Sequence, residues 1–156
     1  MIFNSISPEV LPLIFISFFL GMWIFVCLLL SVVGGWQALG KAYRAEEKIE
    51  GTKWSWQSGS TRLGFAYRNC LNITASRKGI YLAVLWMFRI GHPPLFIPWS
   101  DITITEQKFF FFRMTSFRFA KVPDVPFMIR TQLADKIRLA VGEAWPGKDA
   151  QGIQPS

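Results

Sequence analysis

Hydropathy divides the chain into three regimes. In the first, residues 11–33 carry no charge, and Ser17 and Ser31 are their only polar side chains. Wound as a helix at about 1.5 Å per residue, the stretch rises roughly 35 Å, enough to cross a hydrocarbon layer of about 30 Å. Lipid offers backbone N–H and C=O groups no partner, so the segment must bond them internally. The pattern predicts an anchor rather than a cleaved leader. No Lys or Arg precedes it and no A-x-A site follows, and its apolar core is longer than the roughly 7–15 residues of a leader. Trp23 lies mid-span, and Ser17 and Gly21 form a small-xxx-small pair of the kind that lets helices approach closely.

Gly34 and Gly35 loosen the helix where the span ends. Beyond them Trp36, Leu39 and Tyr43 recur at helical spacing, with Lys41, Arg44, Glu46, Glu47 and Lys48 as a polar face. This predicts a juxtamembrane helix to about Glu47, closed by Gly51.

From Thr52 the period becomes two. Trp54 and Trp56 alternate with polar residues, as on a half-buried strand. A turn is expected at Ser58-Gly59-Ser60, then strands over 62–67 and 70–75. Ser76-Arg77-Lys78-Gly79 reads as a hairpin turn into a strand over 80–87. Residues 89–94 read as a loop because of Pro93 and Pro94. A short strand follows over 95–99, placed at an edge or bulge by Pro98, and Ile102 and Ile104 alternate in the next. Phe109 to Phe112 are expected as a strand with two rings on each face, one of which needs a cover or a partner. Phe117 and Phe119 fall in the neighbouring strand across a turn at Thr115-Ser116. Residues 123–126 read as a loop before a strand over 127–130.

In the third regime the period is 3.6. Thr131 is the expected N-cap. Leu133, Ile137, Ala140, Val141, Ala144 and Trp145 share one face, Leu139 strays from it, and Pro146-Gly147 is the expected stop. The pattern predicts an α+β chain: an N-terminal transmembrane helix, then about seven strands as an antiparallel sheet or barrel capped by a C-terminal helix. The expected divisions are 1–10 outside the membrane, 11–33 spanning, 34–50 juxtamembrane, 51–146 folded and 147–156 a polar tail.

Charge sets the orientation. The chain has 17 Lys and Arg against 10 Asp and Glu, a net +7, and all 17 basic residues follow Val33. Positive residues are retained on the cytoplasmic side, so the N-terminus is expected outside and the folded part inside. A basic domain beside an anionic leaflet is attracted to it. The basic residues are spread along the chain, and no nucleic-acid motif accompanies them. Two cysteines, Cys27 and Cys70, and one His92 cannot form a closed zinc site.

The element order resembles the pleckstrin-homology-like superfold, to which GRAM domains belong. The carrying residues are Leu71-Asn72-Ile73, then Lys78-Gly79-Ile80-Tyr81-Leu82, then Ile97-Pro98-Trp99-Ser100-Asp101-Ile102, similar to a GRAM-type strand, glycine turn, strand and I-P-W-x-D-I run. Together with the anchor, the stretches YRNCL and GIYLAVLWMFRIGHPPLFIPWSDI are similar to a family of uncharacterised bacterial single-pass membrane proteins. The resemblance implies a PH-like (GRAM-type) domain on the cytoplasmic side of the inner membrane. It implies no activity, because fold alone does not carry function.

No catalytic set stands out, so the chain is not expected to be an enzyme, and no cofactor, metal or small-molecule substrate is expected. Asp101 is expected to accept backbone N–H bonds in a turn, and Cys70 to be a buried small hydrophobe in its strand. The expected function is a membrane-anchored binding or scaffolding module that engages anionic lipid head groups or a membrane-protein partner. Its candidate contacts are Lys41, Arg44, Arg77, Lys78, Arg89 and His92, with Arg77, Lys78 and Arg89 expected on loops at one end of the sheet. The alternative is an accessory subunit of a larger membrane complex, docked through the 109–112 strand, with no ligand of its own.

Overall fold

The computed structural model describes residues 7–108 and 111–146. Residues 1–6, Phe109, Phe110 and the 147–156 tail lie outside the described residues. The apolar stretch is a single helix, α1 (Val10–Val33), long and apolar enough to cross a membrane.

The helix breaks where the two glycines stand. Gly35 takes φ +85°, and a Cβ there would sit 2.6 Å from a Val125 methyl, so both conformation and space require glycine. The chain restarts as α2 (Trp36–Tyr43). It stops four residues short of Glu47, because Arg44 turns extended and bridges Leu95, while the Ala45 N–H donates to the Pro94 carbonyl at 2.9 Å.

Seven strands follow: β1 (Thr52–Ser60), β2 (Ala66–Ala75), β3 (Gly79–Val84), β4 (Leu95–Pro98), β5 (Ile102–Lys108), β6 (Arg113–Phe119) and β7 (Val122–Arg130), then α3 (Thr131–Val141). All pairings are antiparallel, in the order β4-β3-β2-β1-β7-β6-β5. The halves meet where Ser60 pairs with Met128. Pro98 ends β4, an edge strand, where its missing N–H costs nothing.

Several local expectations are corrected. No turn falls at Ser58-Gly59-Ser60: β1 runs to Ser60. The strands expected over 62–67 and 70–75 are one strand, β2, entered through a tight turn at Arg62–Gly64. Trp54 and Trp56 do not alternate as expected. The register shifts there, Trp56 takes φ +58° and Asn69 of β2 takes φ +52°, and a bulge of this kind re-aims a side chain. Trp56 is therefore 65% exposed. β3 stops at Val84, followed by a tight turn at Trp86–Phe88. Phe111 and Phe112 are not in a strand but in the β5–β6 reversal, since Lys108 pairs with Arg113. Thr115 and Ser116 lie inside β6, and residues 123–126 inside β7.

α3 buries Leu133, Ala134, Ile137 and Val141, and leaves Ala140 and Leu139 exposed. It ends at Gly142, whose φ of +58° stops the helix before Pro146 is reached. Thr131 is its first residue rather than its cap, and its hydroxyl lies 3.1 Å from that of Thr115. Beyond α3, Trp145 lays its ring against Phe117 and Trp99, centroids 5.9 and 5.7 Å away.

One core results, and α2 belongs to it. Trp36, Leu39 and Tyr43 of α2, Leu71, Ile73, Ile80 and Leu82 of one half-sheet, Phe117, Phe119 and Phe127 of the other, and Ile137 of α3 form a single buried cluster.

Candidate functional site

The site grows from the surface between α1 and the connection that follows β3. On α1, Trp23, Cys27 and Ser31 recur every four residues and form one stripe. Cys27 and Ser31 are buried, and residues 87–91 lie against Trp23 and Ser31 on either side of Cys27. The Trp23 Nε1–H donates to the Met87 carbonyl at 3.3 Å, and its ring meets that of Phe88 at 5.2 Å. The Ser31 hydroxyl donates to the Gly91 carbonyl. Gly91 takes φ +75°, which disfavours any side chain, and a Cβ would crowd Leu28 at 3.0 Å and Ser31 at 3.2 Å. The Trp36 Nε1–H donates to the Pro93 carbonyl at 2.8 Å. At the end of α1, the Arg62 guanidinium reaches the Val32 and Val33 carbonyls at 3.3 and 3.4 Å. The Val32 carbonyl also accepts from the Gly35 N–H at 3.2 Å, and a cation at this end complements the helix dipole.

His92 sits inside this junction, not on an exposed loop. It is 2% exposed, with the Trp36 and Tyr67 rings each 5.5 Å away. Nδ1 faces the Ile90 carbonyl at 3.1 Å, which can only accept, so Nδ1 carries the proton. Nε2 then accepts from the Tyr67 hydroxyl at 3.0 Å. Burial holds the imidazole below its usual pKa, opposed by its hydrogen bonds to the backbone at Ile90 and Phe88, and burial pushes the Tyr67 phenol up. The pair is neutral and turned inward, which removes His92 from the surface contacts.

The other expected contacts do not form one patch. Arg77 and Lys78 are exposed on the β2–β3 turn. Arg89 follows the opposite end of β3, because successive turns of a meander alternate between the ends of the sheet. Six strand residues at about 3.3 Å each separate the two loops. Lys41 and Arg44 are exposed at the end of α2.

Arg89 instead joins two lysines not named as contacts. Residues 44 and 45 lie along β4, and 48–51 form a strap beside Thr74, Tyr81 and Ala83, on the face of β2 and β3 away from the core cluster. Between this strap and the sheet lies a depression of about 280 Å³ lined by Lys48, Glu50, Lys53, Asn72 and Arg89 among others. Three cations against one carboxylate make it positive. The Asn72 side-chain oxygen, buried there, has no hydrogen-bond partner. A second depression, of about 330 Å³, holds Arg130 and Lys136 beside Trp56. It is built from β1, β2, β7 and α3, whereas Arg89 ties the first to the segment packed on α1.

Nucleophilic and turn chemistry are accounted for structurally. Cys70 is buried, and burial raises its thiol pKa, leaving it protonated and unreactive. The Asp101 carboxylate accepts from the Tyr43 hydroxyl at 3.0 Å rather than from a turn N–H, and that hydroxyl accepts from the Lys121 N–H at 2.9 Å. Among the described residues no group of three or more His, Cys, Asp and Glu could hold a metal ion.

No protein-family model matches the chain, and no curated protein or solved structure is significantly similar to it.

Proposed function

We propose that the chain is a membrane-anchored binding module whose PH-like domain holds an anionic phospholipid head group in the depression lined by Lys48, Lys53 and Arg89. The carrying observation is that these three cations converge on one concave surface, and that Arg89 belongs to the segment packed against α1. A head-group phosphate supplies the countercharge, and a head-group hydroxyl or ammonium supplies the donor that the Asn72 oxygen lacks. Each cation close to an anionic leaflet contributes about 1 kcal/mol. Seven antiparallel strands with a C-terminal helix support the PH-like reading, and the placement of every basic residue after Val33 supports a cytoplasmic domain.

Native mass spectrometry of the detergent-purified full chain tests this. Phosphatidylglycerol should be retained in preference to phosphatidylcholine. Lys48→Glu/Lys53→Glu/Arg89→Glu should abolish the preference, and Arg77→Glu/Lys78→Glu should leave it intact. Equal retention of both lipids, or a preference that survives the triple reversal, removes the head-group reading. The accessory-subunit reading would then lead. It draws on β5, an edge strand, and on the exposed Phe111 and Phe112 beside it. A stoichiometric protein that co-isolates whatever the lipid would support it.

A further inference from the structure

We infer that residues 85–91, the connection between β3 and β4, enter the bilayer beside α1 as a second membrane-embedded element that does not span. The inference rests on the reading that α1 crosses the membrane. A hydrocarbon core takes about 20 helical residues. Charged Glu9 precedes α1, so a span counted from Val10 extends to about residue 29. Arg62, bonded to the Val32 and Val33 carbonyls, places a charge just beyond that limit. Trp23 lies six residues inside it, about 9 Å at 1.5 Å per residue. The Met87 carbonyl is bonded to the Trp23 indole, so the connection must reach the same depth.

Its composition suits that depth. Leu85, Trp86, Met87, Phe88 and Ile90 are interrupted only by Arg89. Trp86 is 77% exposed to the surroundings of the chain, Met87 47% and Ile90 40%. This apolar surface continues the lipid-facing surface of α1, so one layer of acyl chains covers both. Trp, Phe and Leu side chains at about 9 Å depth fit an interfacial insertion, whose apolar face is buried about 5–10 Å.

Its carbonyls suit it too. Irregular structure at membrane depth requires partners other than water. The Leu85 carbonyl accepts from the Phe88 N–H, that of Trp86 from Arg89, and that of Arg89 from His92. The Met87 carbonyl accepts from Trp23, that of Ile90 from the His92 imidazole and that of Gly91 from Ser31. Six carbonyls are thus satisfied by the protein. Arg89 does not oppose the insertion: its side chain turns back toward the Val84 carbonyl and the Lys48–Lys53 depression, as a long cation does when its stem lies in lipid and its head reaches the phosphates.

Spin-label accessibility in the full chain, reconstituted in phosphatidylcholine vesicles with a phosphatidylglycerol fraction, tests this. Single cysteines replace Phe18, Arg77 or Met87 in a Cys27→Ala/Cys70→Ala background. The label at position 87 should be relaxed by oxygen and shielded from a water-soluble nickel chelate, like that at 18 and unlike that at 77. Nickel accessibility at 87 equal to that at 77, with 18 still shielded, overturns the inference and leaves the span intact. Nickel accessibility at 18 as well overturns the span itself. Should the alanine background not fold, the chain with its native cysteines serves in vesicles of bromine-labelled acyl chains. Trp86→Phe should remove a quenchable part of the emission, and an unchanged quenched fraction overturns the inference.

Discussion

At the scale of single residues, the junction between α1 and the sheet turns on a neutral pair. Tyr67 donates to His92 Nε2, and His92 donates from Nδ1 to Ile90. Because burial depresses the imidazole pKa, the folded chain binds fewer protons at this site than the unfolded chain, whose imidazole titrates near 6.5. The stability held by this pair is therefore complete above about pH 6.5 and is lost as the pH falls below it toward the folded value. In thermal melts in detergent, acidification from about pH 7.5 to 5.5 should lower the midpoint more for the native chain than for His92→Gln, since the carboxylates are common to both. Tyr67→Phe leaves a buried acceptor without its donor and should cost about 1–3 kcal/mol at neutral pH. An equal acid response in native and His92→Gln chains would show that the imidazole is not held neutral by folding. The burial of His92 was not legible in its neighbours. Gly91, Pro93 and Pro94 mark a loop, and only the Trp36 and Tyr67 rings, 56 and 25 positions away, enclose it.

Among the elements, α3 is the part whose sequence and structure agree most closely. Its stripe is apolar at helical spacing, and Leu133, Ile137 and Val141 are buried as the spacing requires. Ile137 is fully buried, so Ile137→Asp sets an unpaired charge in the core and should destabilise the fold by several kcal/mol (roughly 3–5) or prevent folding. Arg138, half-exposed and 3.5 Å from Asp135, should tolerate Arg138→Asp at a cost below about 1 kcal/mol. Urea titration of the two variants checks the pair, and similar losses would mean that α3 does not pack through this face. The strands were less legible. A period of two reveals that β1 and β2 are extended, but a bulge shifts side chains to the other face without changing composition. Trp56 and Asn69, both at positive φ, are where that reading failed.

At the scale of the whole molecule, the organising fact is that α1 and the folded part are joined by side-chain contacts as well as by the chain. Trp23, Ser31 and Arg62 bond across the junction, so on the proposed reading that α1 crosses a membrane, its orientation also fixes which end of the sheet faces the lipid. With the N-terminus outside, the β2–β3 turn should lie in the cytoplasm, away from the membrane. A cysteine at Arg77 should react with a membrane-impermeant maleimide only after the cells are opened. Labelling in intact cells would reverse the topology and place the Lys48–Lys53–Arg89 depression on the outer leaflet.

The amino-acid order alone determined the features that repeat locally: an apolar helix over 11–33, found one residue longer as Val10–Val33, extended segments of period two, and a C-terminal amphipathic helix. Helical and strand periodicities are properties of neighbouring residues, so they survive in one dimension. It also narrowed Pro98 to an edge or a bulge, since proline cannot donate to a ladder, with the strand order deciding for the edge, and it showed the uneven placement of charge along the chain. Tertiary structure alone decided which loops share an end, which cations converge and which polar groups are enclosed. Arg77 and Arg89 stand twelve positions apart and lie at opposite ends of β3, whereas Lys48 and Arg89, 41 positions apart, line one depression. Trp23 looked like one more apolar residue of the span until its indole N–H, which needs an acceptor in any dry environment, was found on Met87. The physical reason is the same in each case. Proximity across the sheet is set by strand length and turn parity, and burial by whatever packs on top; neither is a property of a residue and its sequence neighbours.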